Sequence, residues 1–374
     1  LDPRFRPAAE TQRAAWCEAR DRMLAGVRLI ETNTEAFEAF RMSNRAMAMQ
    51  AAWSGRSKRG LVWRPFQLAF QLMVLSSLAD RSGPDRSILD LLWFPTGGGK
   101  TEAYLGLVAF VLFIRRLRSG DKGAGVCAIM RYTLRVLTTQ QFQRAAALIC
   151  ACEVVRKESG ENLGSKPFSI GLWIGSAAIP NTVAVARADG DGRARQMRIC
   201  PCCGGRIGLG PDVSRYEIRC CGEAPCELRE AAPILPVWTV DEDIYRELPS
   251  LLIGTIDKFA QITRNSDTSG FFGVVGRCEP PDLIIQDELH LISGPLGSMA
   301  GLYESAIDLV CSERGHTPKI IGSTATIKRA SVQVRQLFDR GVFQFPPSGL
   351  DADDSCFAVA DRTVPGRLYL GITT

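Results

Sequence analysis

Over the first sixty residues, apolar positions recur at helical spacing. Across 8–30, apolar and charged side chains take turns in the 3.6-residue rhythm, and 35–53 repeats the pattern with Ala and Met. Both stretches predict helices, as does 65–78, with a basic loop at 54–60 before it. Beyond these the rhythm changes. Short apolar runs at 89–94, 126–130, 169–174, 251–255, 283–286 and 319–323 predict buried strands, and helical stretches such as 102–117 and 138–157 lie between several of them. This alternation predicts an α/β fold, a mostly parallel sheet flanked by helices. Its functional site is expected at the carboxyl ends of the strands.

One segment breaks the alternation. Residues 177–235 have little periodicity and many Gly and Arg residues, and six cysteines lie between Cys200 and Cys226. The expected organisation is a helical segment at 1–60, a sheet domain built from 61–176 and 236–374, and a Cys-rich insertion at 177–235. An irregular loop is expected at 345–354 and a last short strand at 367–372.

Composition narrows the class. The 374 residues are 46% hydrophobic and 23% charged, enough for one large or two modest globular domains. No apolar run reaches the roughly 18 residues a membrane span needs, so no membrane partner is expected. The start, Leu1-Asp2-Pro3-Arg4-Phe5, does not read as a signal peptide and lacks Met, which suits a piece of a longer protein. Thirteen cysteines without a secretory signal point to a reducing, cytoplasmic setting. The net charge of +5 tolerates nucleic acid as a partner without demanding it.

The strongest chemical signal is Phe94-Pro95-Thr96-Gly97-Gly98-Gly99-Lys100-Thr101, between a predicted strand and a predicted helix. Strand, glycine loop, Lys-Thr and helix is the layout of a phosphate-binding loop. Backbone N–H groups would close around the phosphates of ATP, Lys100 would reach the β- and γ-phosphates, and the Thr101 hydroxyl would sit on Mg²⁺. Thr96, Gly97, Gly98, Gly99, Lys100, Thr101 and Glu102 are the expected nucleotide contacts. The general motif places a first glycine where Phe94 stands.

The second signal is an apolar strand ending in Asp287-Glu288-Leu289-His290. Asp287 would hold Mg²⁺, directly or through water, and Glu288 would orient and deprotonate the attacking water. His290 joins the catalytic candidates by its place in this motif; His316 reads as a turn residue. A third element, Ser323-Thr324-Ala325-Thr326, puts small hydroxyls at a strand end. There Ser323, Thr324 and Thr326 could couple nucleotide state to geometry, or simply cap a turn.

In this order the three elements resemble superfamily 2 helicases of the DEAD/DEAH type, which use the form Pro-Thr-Gly-x-Gly-Lys-Thr. The resemblance implies a RecA-like sheet. It also implies an adenine contact from Gln67 within Arg64-Pro65-Phe66-Gln67. Two further segments, 133–140 and 254–259, are similar to motifs that grip a nucleic-acid backbone, which implies phosphate contacts by Arg135, Gln140, Thr255 and Lys258. The wording of 286–298 and 345–355 resembles the large helicase component of the bacterial DISARM antiphage system. That implies an ATP-dependent DNA helicase or translocase acting on single-stranded DNA, or on duplex with a single-stranded end, beside a second subunit of a defence complex. The alternative is an ATP-gated clamp or scaffold that uses ATP as a switch without unwinding. Family members carry a second RecA-like domain with an arginine finger. Neither is read in these residues, so turnover is expected to need one supplied from outside them.

The cysteines carry separate chemistry. Cys200-Pro201-Cys202-Cys203-Gly204-Gly205, then Cys220-Cys221 and Cys226, fit a four-thiolate Zn²⁺ site of structural type. The expected ligands are Cys200, Cys203 and Cys226, with Cys220 or Cys221 as the fourth and Cys202 as a bystander. Seven arginines from Arg187 to Arg219 make the segment a solvated basic face or a nucleic-acid contact surface.

Overall fold

The computed structural model of the chain describes residues 3–55, 60–95, 97–133, 135–189, 192–274, 278–325, 330–349, 354–359, 363 and 371. Helix α1 (Arg6–Thr32) stops at Asn33, whose side chain accepts from Ala36 N at 2.8 Å and so starts α2 (Thr34–Trp53). Pro65 opens α3 (Pro65–Ala79), a position where the missing N–H costs nothing. The chain then alternates as expected: β1 (Ile88–Trp93), α4 (Lys100–Ser119), β2 (Ala128–Tyr132), α5 (Arg135–Glu158) and β3 (Ile170–Trp173). After β3 come α6 (Val183–Ala188), a hairpin of β4 (Ile207–Leu209) and β5 (Ile218–Cys220), α7 (Glu227–Ala231), β6 (Val237–Trp238) and α8 (Asp241–Glu247). The remainder is β7 (Leu251–Thr255), β8 (Leu283–Gln286), α9 (Gly294–Ser312), β9 (Lys319–Thr324), α10 (Ala330–Phe338), β10 (Gly341–Phe345) and a small hairpin of β11 (Asp354–Ser355) and β12 (Ala358–Val359). No described helix is long and apolar enough to cross a membrane.

Among the described residues, eight strands form one sheet in the order β10-β1-β9-β8-β2-β7-β3-β6, and every pairing in it is parallel. The mostly parallel, helix-flanked α/β fold expected from the pattern is therefore present. A parallel sheet must bury both faces. Alternation along β1 shows how: Leu92 joins a core with α2, α3, α4 and α5, whereas Leu89 and Leu91 join one with α9 and α10. Helix α4 lies between the sheet and α2–α3, and it is buried nearly all round.

Several elements escaped the pattern reading. Helix α9 starts Gly294-Pro295-Leu296-Gly297, a composition that reads as loop, although Pro295 in the first turn suits a helix start. Strand β10 is an edge strand beside β1, and β6 is only two residues long. The strand expected at 367–372 lies, apart from Gly371, outside the described residues. The Cys-rich segment does not stand apart: Cys200, Ile207, Ile218, Cys226, Leu228 and Leu235 belong to the same buried cluster as α5 and the sheet. It leads directly into β6 at the sheet edge.

Two buried ion networks tie the sheet to its surroundings. In β1, Asp90 is fully buried. Arg22 of α1 grips both its oxygens at 2.7 Å, and Lys319 of β9 reaches Oδ2 at 2.9 Å. Burial pushes the Lys319 ammonium below its ordinary pKa, and Asp90 opposes that shift. Just before β8, Asp282 meets Arg81, Arg86 and Arg115, and His316 approaches at 3.6 Å. Burial would raise the Asp282 carboxyl, but His316 and the three guanidiniums hold it far below the carboxylate range.

Removing one partner of a buried ion network strands the others without water. Asp90→Ala is expected to destabilise the protein by about 3–5 kcal/mol, because Arg22 and Lys319 lose their counter-charge. Glu38→Ala, which breaks the solvent-facing pair with Arg41, should cost less than about 1 kcal/mol. Denaturant titration of both variants checks this; equal midpoints would contradict it.

Candidate nucleotide site and cysteine cluster

Strand register assembles the site. Trp93 of β1 lies opposite Thr324 of β9, Gln286 of β8 opposite Gly322 of β9, and Arg131 of β2 opposite Gln286. The carboxyl ends of four neighbouring strands therefore lie side by side. From them the chain leaves β1 into the glycine loop and β8 into Asp287-Glu288. Phe94 N donates to the Thr324 carbonyl at 3.3 Å, which fastens the loop's first residue to β9.

The glycines meet real demands. Gly97 (φ +79°) and Gly99 (φ +92°) are left-handed, and a Cβ on Gly98 would lie 2.5 Å from the Phe94 ring. Helix α4 begins at Lys100, so its positive end and free N–H groups face the loop. Lys100 Nζ donates to the Phe94 carbonyl at 2.7 Å across the loop. Burial pushes this ammonium below its usual pKa, against the pull of Glu288 and Asp287. Glu102 pairs with Arg144 of α5, and Thr96 lies outside the described residues.

The segment ahead of α3 holds the loop at three points. Phe66 stacks on Phe94 (centroids 3.8 Å, planes 10° apart), Arg64 donates to the Gly98 carbonyl at 2.6 Å, and Gln67 Nε2 donates to the Gly99 carbonyl at 2.7 Å. Gln67 Oε1 accepts from Arg64 N at 2.8 Å. Both ends of the Gln67 amide are thus engaged with backbone rather than projecting as a free base-reading group.

Across from the loop, Asp287 N donates to the Arg131 carbonyl at 3.1 Å, and Asp287 Oδ1 accepts from Glu288 N at 2.9 Å. Glu288 is left-handed (φ 49°), an uncommon conformation for a side chain that is not glycine. Burial, and then the neighbouring Asp287 charge, raises the Glu288 carboxyl above its ordinary pKa; Lys100 and His290 pull the other way. His290 Nδ1 sits 2.8 Å from Thr324 Oγ1 and 3.4 Å from Glu288 Oε2, so one ring joins the acidic motif to the end of β9. Ser323 Oγ is buried and has no hydrogen-bond partner among the described residues; Thr326 lies outside them.

Two side chains that sequence reasoning passed over belong here. Tyr104, one helical turn after Thr101, is fully buried; its hydroxyl lies 2.9 Å from Asp287 Oδ2 and 3.2 Å from Thr101 Oγ1. The three-residue spacing from Thr101 was the available signal. Arg131 pairs with Glu304 of α9, a buried bond between distant segments that no local pattern announces. A groove of about 930 Å³ opens beside His290 between α9 and α10.

The four nucleic-acid candidates are dispersed in accessibility. Gln140 is exposed on α5, and Arg135 starts that helix, although its side chain is not described. Thr255 and Lys258 are buried. Lys258 Nζ donates to Asp241 Oδ2 at 2.6 Å and lies 5.6 Å from the centre of the Trp173 ring. The Lys258 charge is thus engaged inside the fold, and a phosphate contact there would have to displace Asp241.

In the cysteine cluster the sulfur that joins those of Cys200, Cys203 and Cys226 is that of Cys220. The sulfurs of Cys200, Cys203, Cys220 and Cys226 all lie within 4.8 Å of one another, with Cys200–Cys226 at 3.7 Å and Cys203–Cys220 at 3.5 Å. Four thiolates around Zn²⁺ at ~2.3 Å would stand about 3.8 Å apart, so the residues fit the ion. Cys221 is exposed, and Cys202 is outside the group. Local structure explains the convergence. Gly204 (φ +70°) turns the chain between Cys200 and Gly205, and a Cβ on Gly205 would meet Gly222 Cα at 2.5 Å. Of the nearby arginines, Arg193 pairs with Asp189 and Arg215 with Glu247. Arg187 bonds to backbone carbonyls, and Arg198, Arg206 and Arg219 are exposed.

No protein-family model matches the chain. The chain is 39% identical, over 95% of its length, to the DISARM protein DrmA of Bacillus paralicheniformis; it spans 38% of that protein. The chain therefore belongs to the DrmA family of DISARM proteins, as the motifs led us to expect. Among solved structures it is similar to the DUF1998 helicase MrfA (14% identity, TM-score 0.45, 79% of this chain and 32% of that one). It is also similar to the Mycobacterium smegmatis helicase Lhr bound to ssDNA and AMP-PNP (15%, 0.45, 79% and 27%) and to the DEAD-box helicase Mss116 bound to ssRNA and UDP-BeF (12%, 0.47, 79% and 42%). At these scores the likenesses carry no residue-by-residue correspondence.

The cluster geometry predicts one zinc per chain by elemental analysis. Cys203→Ser or Cys220→Ser should lose it, whereas Cys202→Ser and Cys221→Ser should keep it. Loss of zinc from Cys221→Ser with retention in Cys220→Ser would contradict the assignment.

Proposed function

We propose that this chain, DrmA-like over 95% of its length, is the ATP-hydrolysing RecA-like unit of a DNA helicase or translocase in antiphage defence. The observation that carries the reading is the convergence of the glycine loop, Asp287-Glu288 and Thr324 at one end of a parallel sheet. Lys100, the Gly97–Gly99 backbone and the start of α4 would hold the β- and γ-phosphates of ATP. Thr101 and Asp287 would hold Mg²⁺, which when bound supplies charge neutralisation for phosphoryl transfer.

The residues divide the work by environment. The Lys100 ammonium would leave the Phe94 carbonyl for a phosphate oxygen, a gain in charge complementarity. Glu288, with its carboxyl raised above its ordinary pKa, is suited to take a proton from water. His290 would relay the state of that carboxylate to Thr324 and β9 through its ring nitrogen. Contacts to the nucleic-acid backbone rather than to bases would give little sequence preference. Of the four proposed backbone contacts, Gln140 is exposed to solvent on α5, the helix that Arg135 starts. Charge stabilisation from a second RecA-like domain, and a partner subunit, would complete the motor.

The test is ATP turnover with and without single- and double-stranded DNA, on this chain and on a version extended to the length of DrmA. Turnover stimulated by DNA is expected in the longer protein, with a loss of roughly 10²–10⁴-fold in Glu288→Gln. Equal turnover with and without nucleic acid would contradict the motor and favour the ATP-gated switch. The pH dependence has a definite sign. Glu288 acts as base only when ionised, and its pKa is raised, so kcat/KM should fall as pH drops, with an acid limb above the ordinary glutamate pKa. An acid limb at an ordinary glutamate pKa would contradict this role.

A further inference from the structure

We infer that the Tyr104 hydroxyl is a positioning group for the divalent cation, holding the Thr101 hydroxyl and the Asp287 carboxylate in register to receive it. The inference rests on the reading of this site as one for nucleotide and Mg²⁺. Thr101 opens α4 and Tyr104 lies three residues on, so both project on one face of the helix. The phenol is fully buried and reaches across to the chain segment after β8.

Proton accounting fixes the directions. An ionised carboxylate only accepts, so the single Tyr104 proton goes to Asp287 Oδ2 at 2.9 Å. The 3.2 Å contact with Thr101 Oγ1 is then donated by Thr101. The result is a directed chain from Thr101 through Tyr104 to Asp287. It places the Thr101 proton on the buried side and leaves oxygen lone pairs of Thr101 free for a cation. Asp287 Oδ1 is held separately by Glu288 N at 2.9 Å, so each carboxylate oxygen has one fixed donor and spare acceptor capacity. Tyr104 itself does not touch the cation. It sets the orientation of two groups that would, as outer-shell partners do for metal ligands generally.

The consequence is a metal effect separable from nucleotide affinity. With Mn²⁺ as a paramagnetic stand-in for Mg²⁺, electron paramagnetic resonance titration into the protein–ADP complex gives the metal dissociation constant. Tyr104→Phe keeps the ring and removes the hydroxyl. It is expected to weaken Mn²⁺ binding roughly 10-fold while metal-free ADP affinity stays as in wild type. Equal Mn²⁺ constants in the two proteins would overturn the inference. If the Phe variant fails to fold, 3-fluorotyrosine at position 104 keeps the shape and changes only the acidity of the hydroxyl. A shifted Mn²⁺ constant is then expected, and an unchanged one overturns the inference. A wild-type protein that binds neither ADP nor Mn²⁺–ADP would overturn the nucleotide reading itself, and this inference with it.

Discussion

The parallel pairing of β1, β9 and β8 is the constraint on which the candidate site depends. Side-chain direction alternates along a strand, so a slip of one residue would turn every side chain of that strand to the opposite face. The buried Asp90 holds the register from within: Arg22 and Lys319 grip it from α1 and β9, and neither charge has another described counter-ion so fully removed from water. The long N-terminal helix, far from the phosphate loop in sequence, is thereby tied to the strand that delivers that loop. At the opposite ends of the same strands, Asp282 gathers three arginines just before β8.

Given that register, the site follows from what each strand end carries. β1 ends in a glycine loop whose left-handed backbone at Gly97 and Gly99 would strain any larger residue. β8 ends in two carboxylates, one held by Tyr104 and by a backbone N–H, the other raised in pKa by burial and by its neighbour. β9 ends in Thr324, which meets Phe94 through its carbonyl and His290 through its hydroxyl. The candidate nucleotide-binding groups and the strand ends are thus joined by short bonds rather than by general proximity. The Cys-rich segment follows the same logic at the sheet edge, where two glycines let the chain close tightly enough to bring four sulfurs together.

Much of this was legible in the chain because the signals are local. Apolar runs of 4–6 residues between helical stretches are what a doubly covered parallel sheet requires, and Gly97–Thr101 and Asp287-Glu288 stand at strand ends in both sequence and structure. The cysteine spacing was equally local, but the choice between Cys220 and Cys221 was not. Alternation in β5 buries the first, and the second, just beyond that strand, is exposed; only the hairpin register decides between them. The burial of Lys258 was not legible either, because its partner, Asp241, is 17 residues away and Trp173 further still. Helix α9 was hidden by Gly294 and Gly297, whose local preference is overridden by packing against α10 and the sheet, and by Pro295, which reads as a breaker but suits the first turn of a helix. Tyr104 was missed for a different reason: a tyrosine in an apolar helix reads as core until Asp287 is placed beside it.

The central claim, that the glycine loop and the acidic pair form one nucleotide site, is tested most directly by a structure determined with a non-hydrolysable ATP analogue and Mg²⁺. The account predicts the triphosphate against Gly97–Lys100, with Lys100 Nζ moved from the Phe94 carbonyl to a phosphate oxygen and the cation between Thr101 and Asp287. A nucleotide bound elsewhere, or a loop still closed by Lys100 on Phe94 with the analogue present, would contradict it.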